Sequence, residues 1–328
     1  MARGILVSFA GYPYTPSSLM PDNGLASLAG SLLAAGHRVK VLDYGVIDTI
    51  GSLVSDSVHN RLESVYASAT NGGMSAAAMI NLFRASIAQS RTLKKTLRAV
   101  ADDISREIEA EPTDFVGFKL WNGDGFSSSV RIAKAIRKRH PEVKLIGGGA
   151  QVDWFEEMIF DYTDVFDILA RGEGEHTIVS LAEWAEGARV INDIPNTLYI
   201  GPSGALIKAP LMPVDDIDAL ALPTYDSETY PSMAGNRHMK MITIDESRGC
   251  PNACNFCIHP RKSSGNWRIK SPERLIAEMK KIMAETGATS FIYAGSNTPS
   301  KAAVANARAI IDAGLKIQYG CFGHVKGI

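Results

Sequence analysis

Short apolar runs alternate with helical patterns over about the first 185 residues. The runs are GILVSFA, VKVLDY, DFVGFKLW, VKLIGGG and VFDILARG. After the first run, Leu25, Leu28 and Leu32 recur at helical spacing, and Gly36 follows as the terminating glycine. Strands this apolar are typical of a sheet covered by helices on both faces. The alternation therefore predicts an α/β fold with a doubly wound, Rossmann-like parallel sheet, whose ligands bind at the carboxyl ends of its strands.

One interval, from about Asp48 to Glu111, is too long for a single crossover helix. It predicts two or three helices, with a break at Asn71–Met74 (NGGM). Such a helical insertion either packs on the sheet or covers a ligand face. The pattern leaves both interpretations open.

The pattern changes near residue 190. A hairpin turned by Gly201–Gly204 and a stretch rich in Pro and Asp precede a second strand–helix series. That series predicts a strand at 239–245, helices at 272–285 and 299–314, and two further strands. We expect a first domain at 1–190, a hairpin and linker at 191–236, and the start of a barrel at 237–328. Because a closed (β/α) barrel needs more strands, we expect a partial barrel and a chain that continues past Ile328.

Charge and hydropathy limit the partners. The chain has 34 Lys and Arg against 35 Asp and Glu, and no apolar run reaches the ~18 residues of a membrane helix. We therefore expect neither a nucleic-acid nor a membrane partner. The first residues lack a signal-peptide pattern, which favours the reducing cytoplasm. There, clustered thiols serve as ligands more often than as disulfides.

Three of the four cysteines lie within eight positions, as Cys250-x3-Cys254-x2-Cys257. A structural zinc site needs four ligands; His259 could be a fourth, but no second pair of ligands follows. The odd number of clustered thiols argues against a disulfide framework. An iron–sulfur cluster held by three thiolates leaves one iron with an open position, which can chelate the amine and carboxylate of a ligand.

The cysteine spacing, with Phe256 before the third cysteine and a strand before the first, resembles the radical S-adenosylmethionine superfamily. The resemblance implies that Cys250, Cys254 and Cys257 ligate a [4Fe-4S] cluster and that S-adenosylmethionine occupies the fourth iron. It also implies that Phe256 lies near the adenine and that Ala294, Gly295 and Ser296 form the methionine-binding segment. The family's usual Glu after the glycines is absent here.

Two further residues have alternative interpretations. Glu273 either stabilises the first turn of a helix behind Ser271 and Pro272 or approaches the open iron as an oxygen ligand. For Cys321 we expect a small buried side chain in the barrel interior or at its rim, although a position facing the active site remains open.

The first domain contains GGGAQ and RGEGE in order, and it resembles the cobalamin-binding domain that precedes many radical S-adenosylmethionine cores. Physically, glycines let the backbone approach a bulky flat ligand, and serines at a helix start can hydrogen-bond its amides or phosphate. The resemblance implies cobalamin contacts from Asn122, Ser127, Ser128, Gly147, Gly148, Gly149, Gln151, Gly172, Glu173 and Gly174.

Two absences refine this prediction. An NAD site needs G-x-G-x-x-G opening the first helix, whereas GYPYTPSSLMPDNG follows the first strand. The Asp-x-His-x-x-Gly motif, which supplies a histidine to the lower face of cobalt in methionine synthase-type modules, is also absent. We therefore expect cobalamin bound without a histidine ligand.

Together the two resemblances imply a cobalamin-dependent radical S-adenosylmethionine methyltransferase. A methyl group would pass from S-adenosylmethionine through cobalamin to a carbon of a small molecule, with an electron donor as partner. Within the family, the missing histidine and Glu273 make the chain look most like the tryptophan 2-methyltransferases of thiopeptide biosynthesis, which implies C2 of tryptophan as acceptor. A cyclase or ring-rearranging enzyme on the same frame, and a cobalamin- or cluster-binding module without catalysis, are the alternatives.

Overall fold

A computed structural model describes residues 1–11, 20–46, 53, 56–70, 75–234, 241–252, 254–255, 257, 266–295 and 297–323. A seven-stranded sheet occupies the first two thirds of this chain, in the order β2-β1-β3-β4-β5-β6-β7. The first five strands are parallel and the last two are antiparallel. The strands are β1 (Arg3–Ser8), β2 (Arg38–Asp43), β3 (Phe115–Lys119), β4 (Lys144–Gly148), β5 (Ile168–Ala170), β6 (Thr197–Ile200) and β7 (Leu206–Lys208).

Helices cover both faces of this sheet. On one face α1 (Asn23–Ala34) packs against α7 (Glu175–Ala185), and on the other α3 (Ala76–Ala110) packs against α4 (Asp124–Arg139). Two short helices, α5 (Ala150–Phe155) and α6 (Met158–Tyr162), follow β4. Successive side chains of β1 alternate between the two cores: Leu6 packs with the α1 side, and Ile5 and Val7 pack with the α3 side. The predicted doubly wound sheet is confirmed.

The helical insertion consists of α2 (Asp56–Thr70) and α3 in the part of the chain that the structure describes. Ser75 caps the N-terminus of α3 by accepting a hydrogen bond from the amide of Ala78. The last part of α3 buries Leu97, Val100 and Ile104 against the sheet, which confirms the packing interpretation for that part. The predicted break at 71–74 lies outside the described residues.

The predicted hairpin is formed by β6 and β7, with the amide of Gly201 donating to the carbonyl of Ala205 at 2.8 Å. It pairs with β5 and so extends the first sheet to Lys208, beyond the boundary predicted at 190. The following linker contains a 3-10 helix at Pro231–Met233. It also crosses to the first sheet, because the Tyr230 hydroxyl donates to Asp43 at the end of β2.

A second, three-stranded parallel sheet follows, in the order β12-β11-β8. It comprises β8 (Met241–Ile244), β11 (Ser290–Tyr293) and β12 (Gln318–Gly320), with α8 (Pro272–Thr286) and α9 (Ser300–Asp312) between them. A short antiparallel ladder joins β9 (Ser247–Arg248) to β10 (Arg268–Ile269). One hydrophobic core connects α1 and α7 to the inner side chains of this second sheet.

The prediction that Cys321 is buried is wrong. The residue is exposed directly after β12, because β12 is an edge strand that pairs with β11 alone among the described strands. Within the described ranges, no helix is both long enough and apolar enough to cross a membrane.

Candidate functional site

A cavity of about 360 Å³ lies between the carboxyl ends of the first sheet and the start of the cysteine loop, residues 249–267. The first sheet contributes glycine-rich turns after β4 and β5. The second sheet contributes the ends of β8 and β11. The predicted site residues that meet in this wall are Gly148, Gly149, Gly172, Glu173, Gly174, Ala294 and Gly295. The fold thus brings the two predicted ligand regions, more than 70 residues apart in sequence, to one cavity.

The cavity wall contains glycine residues, whose backbone is not covered by a side chain, and apolar side chains. Gly149 has a φ of +101°, and a Cβ there would lie 3.3 Å from Cγ of Lys119. A Cβ on Gly174 would lie 2.9 Å from Leu28 Cδ2. Part of the remaining wall is aliphatic, and charged side chains lie between these groups; the aliphatic residues include Leu6, Leu25, Leu28, Ile146, Ile178 and Leu181. A wall of glycine backbone, aliphatic groups and some charged groups can receive a large flat ligand such as a corrin, whose rim carries amides.

Five predicted cobalamin contacts lie outside this wall as described: Asn122, Ser127, Ser128, Gly147 and Gln151. The Ser127 hydroxyl donates to the carbonyl of Asp124 in its own helix, and Ser128 is buried. Gly147 is inside β4, where a Cβ would lie 2.8 Å from Cδ1 of Leu120 in the core. The glycine at 147 therefore serves strand packing, and the contacts of all five residues with cobalamin stay predictions.

Lys119 is a cavity residue that the sequence analysis missed. It lies at the carboxyl end of β3, its ammonium is 2.6 Å from Asp22 Oδ2, and it lies over the Trp121 ring at 4.3 Å. Asp22 is also the N-cap of α1, since its side chain accepts from the amide of Leu25. The sequence does contain a signal for Lys119: a lysine ends an apolar strand, and the carboxyl ends of such strands face the ligand site.

Behind Lys119, a buried acidic cluster joins the first sheet to the linker. Asp43 accepts hydrogen bonds from the Tyr230 hydroxyl, from the amide of Asp22 at 3.1 Å and from the amide of Gly45 at 2.8 Å. Burial, and then the negative charge of Asp22, raise the pKa of Asp43 to about 6. The carboxyl group can therefore change its protonation state within a mildly acidic range.

Glu173 lines the cavity, but both of its carboxylate oxygens have protein partners. Oε2 accepts from Arg268 Nη1 at 2.6 Å and from the amide of Val214 at 2.7 Å, and Oε1 lies 3.4 Å from Arg248 Nη1. Burial raises the pKa of Glu173, but the bonds from Arg268 and Val214 and the Arg248 charge outweigh it and lower the pKa overall. Glu173 is thus a carboxylate whose described partners are two arginines and a backbone amide of the protein.

Arg248 connects the same region to two more carboxylates. Its Nη2 lies 2.5 Å from Glu175 Oε1 and 2.9 Å from Asp245 Oδ2. Asp245 in turn accepts from Asn23 Nδ2 at 2.9 Å. Burial raises the pKa of Asp245, but the charges of Arg248 and Lys270 outweigh it and lower the pKa. The RGEGE and ESRGC segments are therefore joined by ion pairs at one side of the cavity.

The three clustered thiols have different environments. Cys250 is buried and accepts a 3.5 Å contact from Asn252 Nδ2, Cys254 is exposed and Cys257 is half-buried. Across the residues that can be described, no group of three or more His, Cys, Asp or Glu side chains is arranged to hold a metal ion. The donor types fit an iron–sulfur cluster, and the three described thiols are not gathered around one point. The predictions for Phe256, Ser296 and His259 fall outside the described residues.

The predicted methionine-binding segment has an unexpected neighbour in Glu246. The Glu246 carboxylate is fully buried and accepts from the amide of Gly295 at 2.9 Å and from the Thr298 hydroxyl at 2.7 Å. A Cβ on residue 295 would overlap Glu246 Oε1 and the hydroxyl of Ser247. Glycine at 295 is therefore required by this close contact.

Glu273 lies in the first turn of α8 and is exposed. Ser271 is the N-cap, its hydroxyl accepting from the amide of Arg274 at 3.2 Å, and Pro272 opens the helix. The helix-start interpretation of Glu273 is thereby confirmed. Its role as an iron ligand stays a prediction.

Comparison with known proteins agrees with this geometry. Residues 83–182 match the family described as B12 binding domain. An uncharacterized methyltransferase of Pyrococcus horikoshii is 26% identical over 186 residues, 56% of this chain and 40% of the relative. The anaerobic magnesium-protoporphyrin IX monomethyl ester cyclase of Rubrivivax gelatinosus is 24% identical over 202 residues, 59% and 35% of the two chains. The cobalamin-dependent radical SAM methyltransferase TokK of Streptomyces tokunonensis is 26% identical over 172 residues, which are 49% of this chain and 24% of TokK.

Two solved structures share the fold over almost the whole chain. The cobalamin-dependent S-adenosylmethionine radical enzyme OxsB, with aqua-cobalamin and S-adenosylmethionine bound, has a TM-score of 0.67 and 14% identity, covering 97% of this chain and 38% of OxsB. The radical S-adenosylmethionine methyltransferase TsrM from Kitasatospora setae, with cobalamin and a [4Fe-4S] cluster bound, has a TM-score of 0.61 and 15% identity, covering 95% and 52%. The chain thus spans about half or less of each protein named here. Residues 83–182 are therefore similar to a B12-binding domain, and the chain shares the α/β fold of the two solved structures named here.

Proposed function

We propose that this chain is part of a cobalamin-dependent radical S-adenosylmethionine methyltransferase that methylates a carbon of a small molecule. The observation that carries the proposal is the cavity shared by the glycine turns of the B12-binding domain and the start of the cysteine loop. A methyl relay needs the donor, the carrier and the acceptor close together, because a transferring group moves only over a short distance.

The residues of the chain would have distinct roles. Cobalamin, when bound, would supply a metal that accepts and releases a methyl group. Gly148, Gly149, Gly172 and Gly174 would let the backbone approach the corrin, and the aliphatic wall would keep water out of the reacting region. Cys250, Cys254 and Cys257 would hold the [4Fe-4S] cluster, which would supply one-electron chemistry.

For the acceptor, we propose an amino acid, with C2 of tryptophan as the first substrate to test. Support comes from the fold shared with TsrM, which has also been solved with tryptophan substrate and a SAM analogue bound, at 16% identity and a TM-score of 0.59. The absent Asp-x-His-x-x-Gly motif is a second support, since it leaves the lower face of cobalt without a histidine. An electronic spectrum with the features of histidine-coordinated cobalt would contradict that part of the proposal.

The experiment is anaerobic reconstitution with iron, sulfide and hydroxocobalamin, followed by incubation with S-adenosylmethionine, a reductant and tryptophan. We expect a product heavier than tryptophan by one methylene unit. A variant with Cys250, Cys254 and Cys257 all changed to Ala is the control and should give none. Failure to bind cobalamin and a cluster would overturn the proposed class; binding both without methylating tryptophan would overturn only the acceptor.

A second candidate is an oxidative cyclase on the same frame. It is favoured by the similarity to the magnesium-protoporphyrin IX monomethyl ester cyclase, which is close in extent to the similarity to the methyltransferases. The mass of the product separates the two activities. A substrate that loses hydrogens without gaining a methylene unit would support the cyclase.

A further inference from the structure

We propose that Glu173 is a positioning residue that holds both ends of the cysteine loop against the B12-binding domain. The proposal deepens the proposed function, because it says how the cysteines are kept beside the cavity. Both Glu173 oxygens have protein partners, and the proposal does not require a contact between this carboxylate and cobalamin. The three contacts of its carboxylate, with Arg268, Arg248 and the amide of Val214, carry the proposal.

The cysteine loop is closed at its base by the two-residue ladder of β9 and β10. In this antiparallel ladder Arg248 lies directly opposite Arg268, and Ser247 lies opposite Ile269. Two positive side chains at directly opposed positions repel each other and destabilise a ladder. A ladder of only two residue pairs has little else with which to offset that repulsion.

Glu173 lies where it can cancel this repulsion. It pairs with Arg268 at 2.6 Å and with Arg248 at 3.4 Å, so a single carboxylate joins both ends of the loop. Arg248 has further acidic partners in Glu175 and Asp245. For Arg268, the structure gives Glu173 as the carboxylate partner, beside the carbonyl of Val214.

The contacts of Glu173 are partly buried and involve three segments of the chain. Its side chain is 19% exposed, and that of Arg268 is 9% exposed. The amide of Val214 brings the linker to the same carboxylate. The turn that carries Glu173 is itself fixed, because the amide of Gly172 donates to Asp153 Oδ1 at 2.7 Å. Removing one member of a buried charged pair leaves the other uncompensated, which costs more than breaking a surface ion pair.

Cys250 is two residues beyond Arg248. Because Arg248 and Arg268 are both held by Glu173, the first cysteine is held at a set position relative to the turns after β4 and β5. Glu173 would therefore act through the arginines and not by touching a reacting group.

The test measures hydrogen exchange of the full chain without cofactors, comparing wild type with Glu173→Gln. We expect amides of residues 247–250 and 266–270 to exchange about tenfold faster, because the base of the loop opens more often. Amides in β3 and β4 should keep their wild-type rates, which shows that the variant is folded. The matched control is Glu183→Gln, which breaks an ion pair with Arg189 near one end of the same domain.

A second variant distinguishes charge compensation from a general loss of packing. Adding Arg268→Met to Glu173→Gln removes the uncompensated charge, so exchange at the base of the loop should slow again toward the wild-type rate. The proposal is overturned if amides at the base of the loop exchange no faster in Glu173→Gln than in Glu183→Gln. It is also overturned if the double variant exchanges faster there than Glu173→Gln alone. Because this experiment needs no cofactor, its failure is separate from failure of the proposed methyltransferase.

Discussion

The two sides of the cavity are built in different ways. On the side of the first sheet the wall combines glycine backbone and aliphatic side chains with charged groups such as Lys119 and Glu173, and its turns are held by strands in a ladder and by helices on both faces. On the side of the second sheet the wall ends at Gly249, directly before the first cysteine, and the described thiols of the following loop neither line the cavity nor converge. A backbone wall can exist before its ligand arrives, whereas a set of thiolates around a cluster needs the cluster to bring them together.

The largest expected effect tests whether the two sides are independent. Changing Cys250, Cys254 and Cys257 to Ala should abolish iron and sulfide incorporation, because those are the thiols proposed to hold the cluster. Hydroxocobalamin binding should remain, since the first sheet does not use these side chains. Iron and sulfide analysis and an absorbance titration measure the two properties. Cys321→Ala is the control and should keep its cluster; a triple variant that still binds stoichiometric iron and sulfide would contradict the assignment.

The next effect concerns the buried ion pair beside the cysteine loop. Lys270 directly follows β10 and lies 2.5 Å from Glu278, and both side chains are buried. Lys270→Met should lower the free energy of unfolding by up to about 3–5 kcal/mol, because the buried Glu278 carboxylate then keeps Arg274, at 3.9 Å, as its described cationic partner. Urea denaturation measures the loss.

Two controls accompany the Lys270 variant. Arg189→Met breaks a more exposed pair with Glu183 and should cost less than about 1 kcal/mol. Adding Glu278→Leu to Lys270→Met should recover much of the loss. If Lys270→Met is no more destabilising than Arg189→Met, the stability of the second sheet does not depend on the ion pair between Lys270 and Glu278.

On the side of the first sheet, Asp43 should make stability depend on pH. Its pKa is about 6 in the folded chain against 3.8 as the ordinary value, so the folded state holds this proton more tightly. Its contribution to the free energy of unfolding is therefore greatest below about pH 4 and is lost as the pH rises through 6, by about 3 kcal/mol in total. Denaturation of wild type and Asp43→Asn between pH 4 and 7 should show a flatter profile in the variant.

Asp226 is the matched control with the opposite sign. Burial raises its pKa, but hydrogen bonds from Thr229 and Thr224 outweigh burial and lower the pKa. Its contribution to stability should be present above the unfolded pKa and lost as the pH falls. Equal pH profiles for Asp43→Asn and wild type would show that the pKa of Asp43 is not raised in the folded chain.

The smallest expected effect tests the backbone wall. Gly149→Ala places a side chain at a φ of +101°, which should cost about 1–2 kcal/mol of stability. It should also weaken hydroxocobalamin binding, because the new methyl group enters the ligand wall. Gly187→Ala has a similar φ of +80° and open space around its Cβ position. That control should lose comparable stability and keep its affinity for hydroxocobalamin; equal affinities for both variants would contradict a ligand role for Gly149.

Local patterns predicted much of the fold. The apolar runs and leucine spacing predicted the doubly wound sheet, and Ser271-Pro272-Glu273 predicted the start of α8. The extent of the first sheet was not predictable in this way, because the hairpin joins β5 through pairing that depends on tertiary position. The burial predicted for Cys321 was wrong for a similar reason, since the exposure of this residue depends on which strand lies beside β12.

The sequence by itself determined the chemistry available to the chain: three closely spaced thiols after a strand, and glycines after buried strands. These features depend on spacing along a few residues, which strand and turn geometry translate directly into local structure. Only the tertiary structure decided which groups face the cavity and which face one another. Lys119 with Asp22, and Glu173 with Arg248 and Arg268, are pairs separated by 97, 75 and 95 positions. Such pairs form only because two sheets and a linker pack together, and no local pattern encodes their distance.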